Sequence, residues 1–143
     1  MTIAARLLST AFLLLVASAP AAHAQVIETV TTVPFEFSAS DTNLPRDRYR
    51  ISPMPGQPDI FLIRGMRQGV VLMSRVDRVN RHNPSPSLTF RRYGDLYFLR
   101  EVQLGDGRIL ILAPTRAERN AEELASARST AKSDVVIASR VTK

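Results

Sequence analysis

Short segments in which apolar and polar residues alternate, separated by turns that contain glycine or proline, make up most of this chain. Residues 26–37 show the pattern, with Val33, Phe35 and Phe37 on one side of a predicted strand. Successive side chains of a strand point to opposite faces, so this alternation predicts a half-buried β-strand. Pro34 lies on the other side and has no N–H group to donate, which predicts a sheet edge or a bulge there.

Further apolar runs follow at intervals of about 8–12 residues, the spacing typical of all-β sandwiches and barrels. The later predicted strands are residues 48–51, 60–63, 70–79, 88–91, 96–104 and 109–112. Prolines at positions 53, 55 and 58 are expected to interrupt both helix and strand pairing. Because no helical segment separates these strands, a parallel sheet is disfavoured. We predict a mainly β fold, a small antiparallel β-sandwich or open barrel.

One helix is predicted after Pro114. Thr115 followed three residues later by Glu118 forms a capping box, in which the hydroxyl accepts from the N3 amide and the carboxylate bonds back to the cap amide. Apolar residues then recur in one stripe at helical spacing, namely Ala117, Ala121, Leu124 and Ala125. These signals predict an α-helix over about residues 115–127, packed against an edge or mouth of the sheet.

The sequence divides into three parts. Residues 1–24 are predicted to be a signal peptide, and residues 25–128 a β-rich domain that ends in the helix. Residues 129–143 are a polar linker followed either by a last strand within residues 135–141 or by a tail. A chain of 143 residues has room for one ordinary core.

The first 24 residues have the features of a removable export signal. Arg6 adds positive charge, residues 7–16 are mostly apolar, and Ala22-His23-Ala24 matches the small-x-small cleavage rule, so we expect cleavage between Ala24 and Gln25. A helix over the apolar stretch would be about 15 Å long, half of the roughly 30 Å of bilayer hydrocarbon. We predict a periplasmic or extracellular protein with no transmembrane span in its mature form.

Composition limits the chemistry of the mature protein. The chain has no cysteine and, after the signal, one histidine, His82, so neither a disulfide scaffold nor a transition-metal site of His and Cys ligands is expected. The six glycines lie singly rather than in a phosphate-binding loop. Nucleotide cofactors are scarce outside the cytoplasm, and we expect no cofactor.

The chain is basic, with 19 Lys and Arg against 13 Asp and Glu, and nearly all of its basic residues are arginines. Guanidinium groups beside an aromatic ring suit phosphate, carboxylate or sugar ligands. The candidate ligand-binding residues on this basis are Arg91, Arg92, Tyr93, Tyr97, Arg48 and Arg50. In the alternative interpretation, the arginines are scattered over a solvated surface among acidic residues, and the net charge concerns solubility alone.

Neither the histidine nor the acidic residues match a catalytic pattern in the sequence. His82 has no serine in a nucleophile-elbow pattern and is interpreted as an exposed loop residue. Asp95 and Glu101 would have to flank a cleft about 5–10 Å apart to hydrolyse a glycoside. Asp95 follows Gly94 in a predicted turn, and Glu101 is interpreted as a solvated surface charge on a strand. We assign no catalytic residue and no metal ligand.

Several segments of the chain carry a family resemblance. They are Val33-Pro34-Phe35-Glu36-Phe37, Leu44-Pro45 with Tyr49-Arg50-Ile51, Phe90-Arg91-Arg92-Tyr93-Gly94-Asp95 with Tyr97-Phe98-Leu99, and Thr115-Arg116-Ala117-Glu118-Arg119. In this order they resemble a family of small uncharacterised exported proteins of acidobacteria-type soil bacteria. The chain departs from that family at Arg46-Asp47, where Ala-Gly is usual, and Asp adopts a left-handed conformation less freely than Gly. The resemblance implies export and a β-rich fold, and it implies no catalytic residue.

Together these features predict an exported, non-catalytic β-rich binding or envelope-associated protein with an anionic or carbohydrate ligand. Envelope polysaccharide or an anionic lipid surface is the expected partner, and nucleic acid is not expected. Two alternatives stay open. One is a carrier that holds a small apolar ligand inside a barrel, and the other is a small hydrolase that uses Asp95 and Glu101.

Overall fold

The computed structural model describes residues 28–73, 76–79 and 85–142. The predicted signal peptide, its cleavage point and His82 lie outside the described residues. The elements in chain order are β1 (Glu28–Val33), β2 (Phe37–Ala39), β3 (Thr42–Leu44), β4 (Asp47–Met54), β5 (Gln57–Arg64), β6 (Gly69–Met73), β7 (Val76–Val79), β8 (Ser87–Tyr93), β9 (Leu96–Gln103), β10 (Arg108–Ile111), α1 (Arg116–Ala127), β11 (Lys132–Ala138) and β12 (Arg140–Thr142).

Two sheets of antiparallel strands face each other across the core. Sheet A has the strand order β12-β1-β4-β5-β6, and sheet B has the order β11-β8-β9-β10-β7. The short hairpin β2–β3 joins sheet B through a parallel bridge between Ser38 and Phe98. The predicted fold class, a mainly β sandwich with one helix near the C-terminus, is confirmed.

The chain connects the two sheets at both of their edges. At one edge Ser139 separates β11 of sheet B from β12 of sheet A, and at the other edge β6 of sheet A is followed by β7 of sheet B. The first of these corners is held by Thr31 Oγ1, which donates to the carbonyl of Ala138 at 3.3 Å, and by the Ser139 amide, which donates to Pro86 O at 2.9 Å.

The core between the sheets is made of the inward-facing residues of both. It consists of Val33, Phe37, Ala39, Leu44, Tyr49, Ile51, Phe61, Ile63, Leu72, Leu88, Phe90, Leu99, Val102, Leu104, Leu110 and Leu112. Phe37 contacts both Tyr49 and Phe90 edge to face, with ring centroids 5.3 and 5.1 Å apart. Such ring pairs add to the stabilisation that burial itself provides.

The single strand predicted over residues 26–37 proves to be two strands in different sheets. Buried and more exposed residues alternate in β1 as predicted, and Thr29, Thr31 and Val33 face the core. Pairing stops at Pro34, which has no N–H for a ladder, and β2 begins at Phe37 in sheet B. The predicted irregularity at Pro34 is therefore the point at which the chain leaves sheet A.

Two further expectations about strands were wrong. Pro53 and Pro58 do not prevent pairing, because β4 and β5 form a hairpin that includes both residues, with a bulge after Pro53. The register of β1 with β4 begins at Ile51, so Pro53 lies beyond β1 and its missing N–H leaves no partner unbonded. The strand predicted over residues 70–79 is also two strands, β6 and β7, in different sheets.

Helix α1 confirms the predicted segment, and it covers part of the outer face of sheet B. Thr115 is the N-cap, and its side chain accepts from the Glu118 amide at 3.1 Å. Three parts of the prediction were wrong. The Glu118 carboxylate pairs with Arg100 rather than the cap amide, and both Ala117 and Leu124 are exposed. The helix also lies on a face of sheet B rather than at its edge or mouth. Ala121 and Ala125 pack on Tyr93 and Phe98 of sheet B, and these small residues let the helix approach the sheet closely.

The C-terminal segment contains strands where a linker and either a strand or a tail were expected. Strand β11 starts at Lys132, inside the predicted linker, and pairs with all of β8 from Tyr93 to Ser87. Strand β12 pairs with β1, so the last described strand lies beside the first. In the described part of the chain only Ser40 and Ser129 have positive φ without being glycine, so the Arg46-Asp47 turn requires no left-handed residue.

Candidate functional site

The outer face of sheet A carries four arginines, and we call it the basic face. Arg48 and Arg50 alternate on β4 with the buried Tyr49 and Ile51, so both guanidinium groups point away from the core. Arg64 on β5 lies directly opposite Arg50, and Arg140 on β12 lies opposite Val30 of β1.

Strand register brings three of these arginines into one row across sheet A. Val30 is paired with Arg50 as well as with Arg140, so Arg140, Val30, Arg50 and Arg64 follow one another across four strands. Neighbouring strands lie about 4.8 Å apart, which sets the spacing along the row. Arg48 lies in the adjacent row, opposite Thr32.

Most of this positive charge has no acidic partner. Arg50 is bonded to Glu28 on β1, with 3.1 Å between Nε and Oε2. Among the side chains that the structure describes, no carboxylate lies within 4 Å of Arg48, Arg64 or Arg140. Like charges placed directly opposite on neighbouring strands are destabilising, and Arg50 and Arg64 have this arrangement.

Two open grooves run along the basic face and share Val30 and Arg48. One has a volume of about 390 Å³, and its lining includes Arg50, Arg64 and Met66. The other has a volume of about 400 Å³, and its lining includes Arg140. Together the grooves form an extended basic surface.

A network around Asp47 shapes the turn between β5 and β6 at the margin of this face. One carboxylate oxygen of Asp47 accepts from the Arg48 amide at 2.7 Å, and the other accepts from the Met66 amide at 2.8 Å. Gly65 is required here, because a Cβ at that position would lie 2.8 Å from Cε1 of Tyr49. The Tyr49 hydroxyl donates to Pro45 O, and burial, with a smaller contribution from the Asp47 charge, raises the pKa of Tyr49 to about 12.

The other predicted ligand-binding residues lie on sheet B, away from the basic face, and contact one another or the rest of the fold. Arg91 of β8 pairs with Asp134 of β11 at 2.5 Å. Tyr93 is buried beneath α1, and burial, followed by the charge of Glu122, raises the pKa of its hydroxyl.

Arg92 and Tyr97 form a stack with Phe35. The guanidinium carbon of Arg92 lies 5.5 Å from the Tyr97 ring centroid, and Phe35 stacks on Tyr97 at 3.9 Å. Arg92 Nε also donates to Gly94 O at 2.6 Å. The structure thus separates the six predicted residues into two groups, with Arg48 and Arg50 on sheet A and the other four on sheet B.

Sequence reasoning missed Arg64, Arg140 and the groove residues Val30 and Met66. Alternation places Arg64 on the outer face once β5 is known, since Ile63 before it is buried. No pattern in the sequence indicates that Arg64 lies opposite Arg50, or that Arg140 belongs to sheet A.

The two carboxylates of the hydrolase alternative do not share a cleft. Asp95 lies at the tip of the β8–β9 hairpin with its side chain fully exposed, and Glu101 lies far along β9. Six residues of extended chain separate them, which corresponds to about 20 Å. This distance is well beyond the roughly 5–10 Å that paired catalytic carboxylates require.

The space between the sheets is filled by aromatic and aliphatic side chains. Phe35 and Phe37 both contact Phe90 edge to face, with centroids 5.2 and 5.1 Å apart. A carrier of an apolar ligand would need this space to be empty. Phe98 does not contribute to filling it, because its side chain packs outside the space, beneath α1. The packing favours binding on the surface rather than inside the sandwich.

The described residues contain no cluster of three or more His, Cys, Asp or Glu side chains suited to a metal ion. None of their helices is long and apolar enough to cross a bilayer. Comparison of the chain with protein-family models, with curated proteins and with solved structures finds no match. The resemblance to exported soil-bacterial proteins therefore stays a prediction.

Proposed function

We propose that this is an exported binding protein whose basic face holds anionic groups of its ligand. The proposal is carried by one observation, which is that Arg50 and Arg64 lie directly opposite each other on neighbouring strands while Arg64 has no described acidic partner. An anion between the two guanidinium groups would offset their repulsion and accept charge-assisted hydrogen bonds from both.

The surroundings of this pair support the same interpretation. Arg48 and Arg140 extend the positive charge along both grooves, and the outer face of sheet A is exposed at Arg48, Arg50 and Arg64. On sheet B, by contrast, Arg91 and Arg100 are each paired with a carboxylate. The arginines of sheet A that lack a described acidic partner therefore leave positive charge on the basic face, where it attracts anions at long range.

Export is the second part of the proposal and depends on the predicted signal over residues 1–24. Outside the cytoplasm the available anions are the phosphates and carboxylates of the cell envelope rather than nucleic acid. The separation of Asp95 from Glu101 and the filled interior both make a binding surface a better interpretation than a hydrolase or a carrier of apolar molecules.

The proposal is tested by titrating the purified protein with soluble polyphosphate and with polygalacturonate at increasing salt. We expect binding that weakens as salt screens the charges. The Arg48→Gln/Arg64→Gln variant should bind about tenfold more weakly or worse, since it removes two charge-assisted contacts. Neither arginine has a described ion pair, so folding should be unaffected.

The matched control is Arg116→Gln/Arg128→Gln, which removes the same charge from exposed positions at the two ends of α1. It should bind like the unaltered protein. A second comparison is Arg91→Gln/Arg92→Gln on β8. The proposal is wrong if no variant changes binding, or if only the β8 variant does.

A further inference from the structure

The basic face is bordered by apolar side chains that point in the same direction as its arginines. Leu62 alternates on β5 with the buried Phe61 and Ile63, so it lies on the outer face together with Arg64. Val71 of β6 is directly opposite Leu62 and is 45% exposed. An apolar row therefore lies next to the row of arginines on one exposed surface.

Met66 is the most exposed large apolar side chain in the described part of the chain, at 88%. Its turn is held in place, because the Met66 amide donates to Asp47 and the Gly65 amide donates to Gln68 O at 2.8 Å. Met66 also lines the same groove as Arg48, Arg50 and Arg64. The fold thus holds the apolar side chain of Met66 in a solvent-exposed position beside the arginines of the basic face.

Isolated exposed apolar residues are common and require no explanation. This combination is different, because the apolar residues border Arg48 and Arg64, which have no acidic partner among the described side chains, on one continuous face. A soluble polyanion would neutralise the arginines but would offer nothing to Met66, Leu62 and Val71. An anionic bilayer surface offers both, with phosphates at the headgroup level and hydrocarbon immediately beneath.

We infer that the basic face docks onto a lipid surface that contains anionic phospholipids, with Met66 entering the boundary between headgroups and acyl chains. This inference rests on the proposed function and specifies the ligand of the same site. Arg48, Arg50, Arg64 and Arg140 contact lipid phosphates, and the aliphatic parts of their side chains cover the apolar boundary. The helix α1, on the outer face of sheet B, faces away from the lipid.

The first experiment compares co-sedimentation with vesicles of phosphatidylglycerol and phosphatidylcholine against vesicles of phosphatidylcholine alone. The protein should bind only the anionic vesicles, and Arg48→Gln/Arg64→Gln should weaken this binding about thirtyfold. Met66→Ser should weaken vesicle binding about fivefold through lost apolar contact, a clearly larger loss than the same variant shows with soluble polyphosphate, which offers no apolar contact.

The second experiment reports insertion directly and uses the absence of cysteine from the chain. Met66→Cys, labelled with an environment-sensitive fluorophore, should give a blue-shifted emission on addition of anionic vesicles. Leu124→Cys is the matched control, because Leu124 is an exposed apolar residue on α1 and its label should stay in water.

The outcomes separate the two proposals. Two results would overturn the lipid inference and leave the proposed function in place. One is salt-dependent polyphosphate binding without vesicle binding. The other is vesicle binding that Met66→Ser does not weaken and that does not shift the emission of the label at position 66. Absence of salt-dependent binding to every anionic probe overturns the proposed function and the lipid inference with it.

Discussion

Arg100 on β9 reaches the buried carboxylate of Glu118 on α1, with 3.3 Å between Nη1 and Oε2. The contact depends on a bulge, because Thr89 and Phe90 of β8 pair with Glu101 and Leu99 and leave Arg100 unopposed. A bulge redirects the side chain of its extra residue. The pair lies beneath the first turn of α1 and fastens the helix to sheet B.

Glu118→Ala should destabilise the protein by about 2 kcal/mol, since it leaves Arg100 partly buried without its partner. The free energy of unfolding is measured by urea titration. Glu123→Ala, which removes an exposed carboxylate from the same helix, should change it by less than about 0.5 kcal/mol. Equal values for the two variants would show that the Arg100–Glu118 pair does not hold the helix.

Thr115→Ala should cost about 1 kcal/mol, because it removes the side-chain oxygen that accepts from the Glu118 amide. Thr115→Ser keeps that oxygen and should be nearly neutral. Urea unfolding of both variants checks this expectation. A serine variant as unstable as the alanine variant would exclude helix capping as the cause.

Tyr49 should make the protein less stable at alkaline pH. Its pKa in the folded protein is about 12, above the value near 10 that applies to the unfolded chain. The folded state therefore holds the phenolic proton more tightly, and the resulting stability is complete below about pH 10 and lost as the pH rises through about 12.

Tyr49→Phe isolates this effect, because Tyr93, whose pKa is also raised, is present in both proteins. From about pH 10 to 12 the free energy of unfolding should fall by about 2 kcal/mol more in the unaltered protein than in Tyr49→Phe. Parallel pH profiles for the two proteins would contradict the assignment.

Gly105→Ala should weaken the attachment of β12 to the rest of the fold. A Cβ at this position would lie 2.1 Å from Cγ2 of Val141, so the two side chains cannot both keep their places. We expect a loss of about 1–3 kcal/mol and faster amide hydrogen exchange in β12.

The matched background for this test is Val141→Ala, which removes the clashing methyl groups. In that background, Gly105→Ala should cost less than about 0.5 kcal/mol. The same cost in both backgrounds would mean that Gly105 is required by its own turn rather than by Val141.

The sequence predicts those parts of the fold that depend on local signals. Gly94-Asp95 between two apolar runs predicts the β8–β9 hairpin, and Thr115 with Glu118 predicts the start of α1; both are confirmed. Period-two alternation also places Arg48 and Arg50 on an outer face. Each of these signals extends over a few residues and competes with no distant contact.

The basic face depends on register, which the sequence does not encode locally. A regular two-residue hairpin at Pro55-Gly56 would place Arg50 opposite Phe61, and the bulge after Pro53 instead places it opposite Arg64. Arg140 reaches this face because the chain changes sheets at Ser139. The predicted ligand-binding residues on β8 and β9 instead contact β11, α1 and Phe35, and all three of these are distant in sequence.

The pairing of Glu28 with Thr142 joins the two ends of the described chain in one sheet. Strand β1 therefore gains its second neighbour in sheet A only once β12, at the far end of the described chain, is available to pair with it. Arg140 joins the row of arginines only at that step, whereas Arg50 and Arg64 are already aligned by the β4–β5 hairpin.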